Sequence, residues 1–293
     1  MSIILTVLNI TAPVFLLAAI GFVWVKLGFE YRVAFVTRLA MKLSVPCLIF
    51  VALMRTEIAP EALAALSMAS LAAYVLVMLA CFVLVRLARL DVQTYLAPLA
   101  FGNTGNLGLP LALFAFGEVG LGYAVVVFAV MAILSFTIGI WIVAGGGSLK
   151  RVVQEPLVGA TLLGALFLWQ GWETPVFLTN TLDLIGQMAI PMMLITLGVA
   201  VARLETPAMT QAIWLSAVKL MICLAAGWVC AVFFGLDPVA GAVLIVQIAT
   251  PVAVTSYLLA EKYGADAQPV AGLVVASTLL SVLALPLILA FLI

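Results

Sequence analysis

Apolar runs of about 20 residues recur from one end of this sequence to the other, each long enough to cross a hydrocarbon layer as a helix. Nothing constrains a fold more, because inside lipid the backbone must satisfy its own hydrogen bonds, and a helix does so within one segment. Composition agrees: 67% of the residues are apolar and 8% charged, against roughly half and a quarter in soluble domains. The sequence predicts an all-α polytopic membrane protein. Breaking the runs at charges, glycines and prolines gives ten spans, at about 4–25, 34–53, 62–85, 93–116, 120–143, 156–171, 178–202, 209–233, 237–260 and 267–291. That partition leaves no room for a soluble catalytic or nucleic-acid-binding domain. The 12 basic residues sit mostly at span ends and form no surface for a phosphate backbone. There is no histidine, and Cys47, Cys81, Cys223 and Cys230 lie inside apolar runs, so neither a metal site, a disulfide framework nor a cofactor is expected.

With an even number of spans both termini lie on one side, and the basic residues select it. Alternate connectors, counted from the first, hold Lys26, Arg32, Arg38, Arg86, Arg89, Lys150, Arg151, Arg203 and Lys262, while the opposite set holds Arg55 alone. Positive residues stay cytoplasmic, so both termini are expected on the external face of a bacterial inner membrane. The opening run has no preceding Lys or Arg and is too long for a signal peptide, which makes it the first span.

The two halves of the chain echo one another. Trp24 and Trp169, Pro46 and Pro191, and Asn106 and Pro251 are each separated by 145 residues, and Gly145-Gly146-Gly147-Ser148 marks the join. Residues 1–145 and 156–293 then hold five spans each, linked by a cytoplasmic connector at 146–155. An odd number of spans per half makes the second half enter the membrane from the opposite side, which is an inverted repeat.

Span 4 carries Phe101-Gly102-Asn103-Thr104-Gly105-Asn106-Leu107-Gly108-Leu109-Pro110 at mid-depth, with three glycines, two asparagines and a proline. No lipid-facing helix survives that composition. Span 9 repeats the interruption at Gln247-Ile248-Ala249-Thr250-Pro251-Val252-Ala253-Val254-Thr255, where Thr250 is placed to cap a helix beginning at Pro251. Where two such interruptions meet, two helix N-termini converge on one midplane point. Their amide groups, and a partial positive charge of about half a unit each, suit an anion, above all a carboxylate. The candidate binding residues are Asn103, Thr104, Gly105, Asn106 and Pro110 from the first interruption, with Gln247, Thr250, Pro251, Val252 and Thr255 from the second.

Lys219 lies near the middle of span 8, where a charge costs about 2.5 to 3.5 kcal/mol. It either neutralises a bound carboxylate or satisfies carbonyls released by a broken helix, and it joins the candidate set. No Asp or Glu lies near the centre of a span, which removes the usual carboxylate of a proton relay. Two coupling schemes stay open: a proton riding on the substrate, or sodium held by carbonyls, Asn106, Thr250 or Gln247. Without histidine, paired carboxylates or metal ligands no enzymatic constellation is present, and Ser216 beside Lys219 does not make one.

At these residues the chain resembles the auxin efflux carrier family, which contains plant auxin exporters and bacterial proteins named as malonate or malate transporters. The resemblance is carried by residues 102–110, by Thr250-Pro251-Val252-Ala253-Val254-Thr255-Ser256-Tyr257 and its continuation to Gly264, and by Asp183-Leu184-Ile185-Gly186-Gln187 followed by Pro191 and Leu197-Gly198. It implies ten spans in two inverted repeats, helices 4 and 9 crossing at their breaks, and a homodimer built on a scaffold of spans 1, 2, 6 and 7. It also implies an elevator-like movement of a transport domain made of spans 3–5 and 8–10. It places Asn103 beside the substrate carboxylate and Pro251 at the second break. Two features depart from the plant pattern: the long cytoplasmic loop is absent, and no acidic residue occurs between Glu61 and Asp91 in span 3. Without the loop, regulation by phosphorylation there is not expected, and the missing carboxylate argues against auxin as substrate and against the plant coupling scheme.

The sequence therefore predicts a secondary carrier of small organic anions. The competing readings are a sodium-coupled symporter of the bile-acid type, which shares the crossed-helix plan, and a membrane receptor or structural subunit that carries no flux.

Overall fold

The computed structural model describes residues 3–55, 58–144, 156–203 and 209–293, and these are helical nearly throughout. The chain opens with α1 (Ile3–Lys26), then α2 (Val33–Leu39) and α3 (Val45–Met54), which are joined by a widened π-type turn at Ala40–Ser44. There follow α4 (Pro60–Leu87), α5 (Val92–Ala100), a second π-type turn at Thr104–Gly108, and α6 (Leu109–Leu134). A third at Ser135–Gly139 leads into α7 (Ile140–Ala144). Beyond residue 155 come α8 (Pro156–Gln170), α9 (Val176–Gln187), α10 (Ala189–Arg203), α11 (Met209–Phe233), α12 (Pro238–Ile248), α13 (Val254–Tyr263) and α14 (Ala267–Leu292).

Seven helical stretches among the described residues are long and apolar enough to cross a membrane: Val7–Lys26, Val33–Met54, Glu61–Leu87, Thr104–Ala144, Val176–Arg203, Met209–Phe233 and Ala267–Leu292. Gly159–Gln170 and Pro238–Ile248 are shorter apolar helices. The protein is thus a multi-pass membrane protein. The longest stretch is interrupted at Gly117, whose φ of 65° and ψ of −155° lie outside the helical region. A side chain there would be strained, so glycine is the residue that permits the bend. The expected connector at 146–155, with the Gly-Gly-Gly-Ser join, lies outside the described residues.

Several acidic residues that the sequence places at span ends prove to be helix caps. Asp91 accepts the Thr94 N–H at 2.8 Å, Asp237 accepts those of Val239 and Ala240 at 3.0 Å each, and Asp266 accepts that of Gln268 at 3.1 Å. They start α5, α12 and α14, the segments that lead into or flank the two interruptions.

Packing sorts the helices into two groups. In one, α1 lies along α10, and α3 is flanked by α8 and α9. At Gly21 and Gly198 the backbones of α1 and α10 come so close that a Cβ would run into the carbonyls of Ile195 and Ala18 respectively. Small residues permit such approach between membrane helices. In the other group α11 packs on α4, α12 and α14, while α6 packs on α4 and α12. The interrupted segments belong to this second group, and the turn at Thr104–Gly108 also packs on α10 of the first.

Candidate functional site

Helix α5 ends at Ala100 and winding resumes only at Thr104; α12 ends at Ile248 and winding resumes at Val254. Between these ends the two chain segments run antiparallel past each other. Gly102 pairs with Val252, and the Asn103 N–H donates to the Pro251 carbonyl at 2.7 Å. Glycine is required at 102, because a Cβ would strike the Thr250 hydroxyl and lie 2.9 Å from the Thr250 carbonyl oxygen. The Val252 N–H donates to the Ser277 hydroxyl of α14 at 2.9 Å. Extended backbone at this depth is tolerable because protein, not lipid, surrounds it: Gly102, Asn103, Thr104, Thr250, Pro251 and Val252 are all buried.

Two N-terminal helix ends flank this crossing. The first bond of the resumed winding runs from the Leu107 N–H to the Asn103 carbonyl, so the amides of Thr104, Gly105 and Asn106 precede it. On the other segment the Ser256 N–H donates to Ala253, and the amides of Val254 and Thr255 precede that bond. Such amides and the positive end of the helix dipole favour a bound anion.

The candidate side chains divide between two faces of the crossing. Asn106, Val254 and Thr255 line a front chamber, whose opposite wall is Val33, Thr37, Ala40 and Met41 from span 2 with Met193, Thr196 and Leu197 from α10. Its water-accessible volume is ≈ 30 Å³, room for about one water molecule. Lys219, Thr250 and Pro251 line a rear chamber with Ser216, Ser277 and Ser281. There Lys219 Nζ donates to the Thr250 carbonyl at 2.8 Å and lies 3.8 Å from Cys223 Sγ. Of the two roles open to Lys219, the carbonyl contact is the one observed.

Asn103, Thr104 and Gln247 line neither chamber; they are buried, and Asn103 Nδ2, Thr104 Oγ1 and both amide atoms of Gln247 have no hydrogen-bond partner among the described residues. The Gln247 amide lies flat against Gly108, where a Cβ would meet it. Gly105 faces the Phe128 ring, and Pro110 is buried in the first turn of α6, away from both chambers. One expectation is corrected here. Thr250 does not cap a helix starting at Pro251: its hydroxyl donates back to the Gln247 carbonyl at 2.6 Å, closing the end of α12. The following helix starts at Val254 from Ala253, with no side-chain cap. The crossing pairs Gly102 with Val252, and the windings restart at Thr104 and Val254.

A family model described as membrane transport protein matches residues 6–152 and 145–289. The chain belongs to this family, the auxin efflux carriers. Among its relatives is an uncharacterized transporter of Methanothermobacter thermautotrophicus, 31% identical over 199 residues that cover 64% of each chain. Another, from Rhizobium meliloti, is provisionally named a malonate transporter and is 24% identical over 197 residues, or 62% of each. The chain thus spans less than two thirds of the length of either relative.

Within this family member the residues that sequence reasoning missed are Thr37, Thr196 and Ser277. Thr196 donates to its own helix at Met192 and meets the Tyr31 hydroxyl at 2.7 Å. Their one sequence signal is a hydroxyl inside an apolar run, which is weak because such hydroxyls commonly bond the carbonyl one turn back. A wider vestibule of ≈ 750 Å³ opens between Arg55 and Leu48 of span 2, Asp183, Gln187 and Pro191 of α9 and α10, and Leu113 and Glu118 of α6. Arg55 and Asp183 form an ion pair there at 3.6 Å.

Proposed function

We propose that this chain is a secondary transporter that moves a small organic anion, a carboxylate such as malonate, across a bacterial inner membrane. The observation that carries the reading is the crossing itself: two helix N-termini, bonded through Asn103 and Pro251, bring amide donors, Asn106 and Thr255 to one buried chamber. The carboxylate sits against those amides. The unpartnered Asn103 and Thr104 groups behind them supply further donors once the chamber widens. The name of the Rhizobium meliloti relative fits a short dicarboxylate.

The proposed carrier has ten spans in two inverted repeats, with both termini external. Three observations support the spans and the repeats, and the basic residues support the orientation. Thr104–Ala144 would reach about 60 Å as one helix, twice the hydrocarbon thickness, so the bend at Gly117 is where it turns back. Pairing is symmetric: replacing each span by its counterpart in the other half turns the α1–α10 contact into α8–α3, α11–α14 into α4–α6, and α11–α12 into α4–α5. The two helix restarts also face each other across one bridge. Transport proceeds by an elevator-type movement in which spans 3–5 and 8–10 carry the crossing past a scaffold of spans 1, 2, 6 and 7, which also builds a homodimer. The front chamber is closed by scaffold residues such as Met41 and Met193, and the vestibule beside Arg55 is its external approach.

Uptake of labelled malonate, malate and indole acids into proteoliposomes, with and without sodium and a pH gradient, tests the proposal. Saturable uptake of a dicarboxylate is expected. Binding without flux would assign the chain to the receptor class instead.

A further inference from the structure

We infer that Lys219 is a tethered cation that holds the metal-ion position of the crossing, so that anion transport by this chain requires no sodium. This rests on reading the crossing as an anion site and adds its coupling. Where α12 stops, its last carbonyls lose their helical partners and carry the negative end of the dipole. In membrane carriers with broken helices, such unwound carbonyls and C-terminal ends are where a coupling sodium or proton is held.

Here the Thr250 carbonyl accepts from Lys219 Nζ at 2.8 Å, and the lysine is 2% exposed. The hydroxyls around it have their hydrogens committed elsewhere: Ser216 donates to Ala212, Ser277 to Val274 and Ser281 to Thr278. Their oxygens remain as acceptors beside the lysine, with Ser277 also taking the Val252 N–H, and such oxygens suit a hard cation. The water-accessible volume left beside the lysine is ≈ 10 Å³, about one water molecule, and a second cation there would sit against the ammonium and be repelled by it. The other broken end differs, since among the described residues the Leu99 carbonyl near the end of α5 accepts the Cys81 thiol at 3.7 Å and no cation meets it. One cation, fixed to α11 by its stem, thus serves the crossing and cannot leave with the substrate.

The test compares the full-length protein with Lys219→Ala and Lys219→Met in sodium chloride and in choline chloride at equal ionic strength, reading Tm and uptake of labelled malonate. Wild type is expected to show the same Tm in both salts and uptake that differs less than twofold. Lys219→Ala is expected to melt several degrees lower in choline and to recover in sodium, because the ion enters the vacated space. Lys219→Met fills that space without charge, and it is expected to melt low in both salts. Sodium-dependent uptake or sodium stabilisation of wild type would overturn the inference. So would a Lys219→Ala protein that melts like wild type in choline or ignores sodium. Should that variant not fold, the wild-type sodium comparison still decides. If wild type carries none of the anions, the transport reading fails, while the melting comparison still judges Lys219.

Discussion

At the scale of single residues, Asn103 is where structure and transport meet most closely. Its backbone N–H is satisfied by Pro251, yet its side-chain Nδ2 is buried without a partner. An unsatisfied buried donor costs on the order of 1–3 kcal/mol, a cost tolerated where a ligand completes the bond. Asn103→Ala should therefore lower uptake at least about tenfold while leaving Tm unchanged or slightly raised, as read by flux and thermal unfolding on one preparation. Asn103→Asp should lose uptake as fully, because it sets a carboxylate against the anion. Equal uptake by wild type and both variants would remove Asn103 from the site. Asn103 and Asn106 were legible in the sequence because an amide side chain beside glycine inside an apolar run is costly in lipid unless a protein group or a ligand meets it. Thr37, Thr196 and Ser277 were not. A hydroxyl that bonds its own helix looks the same in a sequence whether or not it also faces a chamber.

Among the elements, the interruptions could be read from composition, but their register could not. Glycine and proline announce that winding fails somewhere in 101–110 and 247–255; which residue faces which depends on how the two segments pass one another. Gly102 decides that, lying against Thr250 with no room for a side chain. Gly102→Ala should therefore cost about 1–3 kcal/mol by overpacking and abolish uptake, with a lowered Tm as the check. Asp237 sets the start of α12 by accepting two amides and the Tyr123 hydroxyl at 2.8 Å. Asp237→Ala should lower stability by about 0.5–2 kcal/mol while uptake per folded molecule changes little, since the cap lies at the far end of that half-helix from the crossing. Complete loss of uptake at normal stability would move Asp237 into the transport pathway.

Over the whole molecule, hydropathy alone made the chain a helical membrane protein, and it could do so because apolar length is a property of single segments. Span count was harder. A 41-residue helical stretch bent at one glycine, and helices of 15 and 11 residues at α8 and α12, fall outside a simple length rule. Topology is open to a direct check in a background where the four cysteines are replaced. A cysteine at Glu173 should react with an impermeant maleimide from outside the cell, and one at Glu30 only after permeabilisation, if the basic residues orient the chain. The reverse pattern would invert the proposed orientation.

An experimental structure of the protein with malonate bound would judge the crossing as an anion site without intermediaries. Density for the anion is expected in the front chamber, against the amides of residues 104–106 and 254–255, with Asn106 and Thr255 beside it. An anion seated at Arg55 in the vestibule with the crossing vacant, or helices wound without a break through 101–109 and 248–254, would contradict that reading.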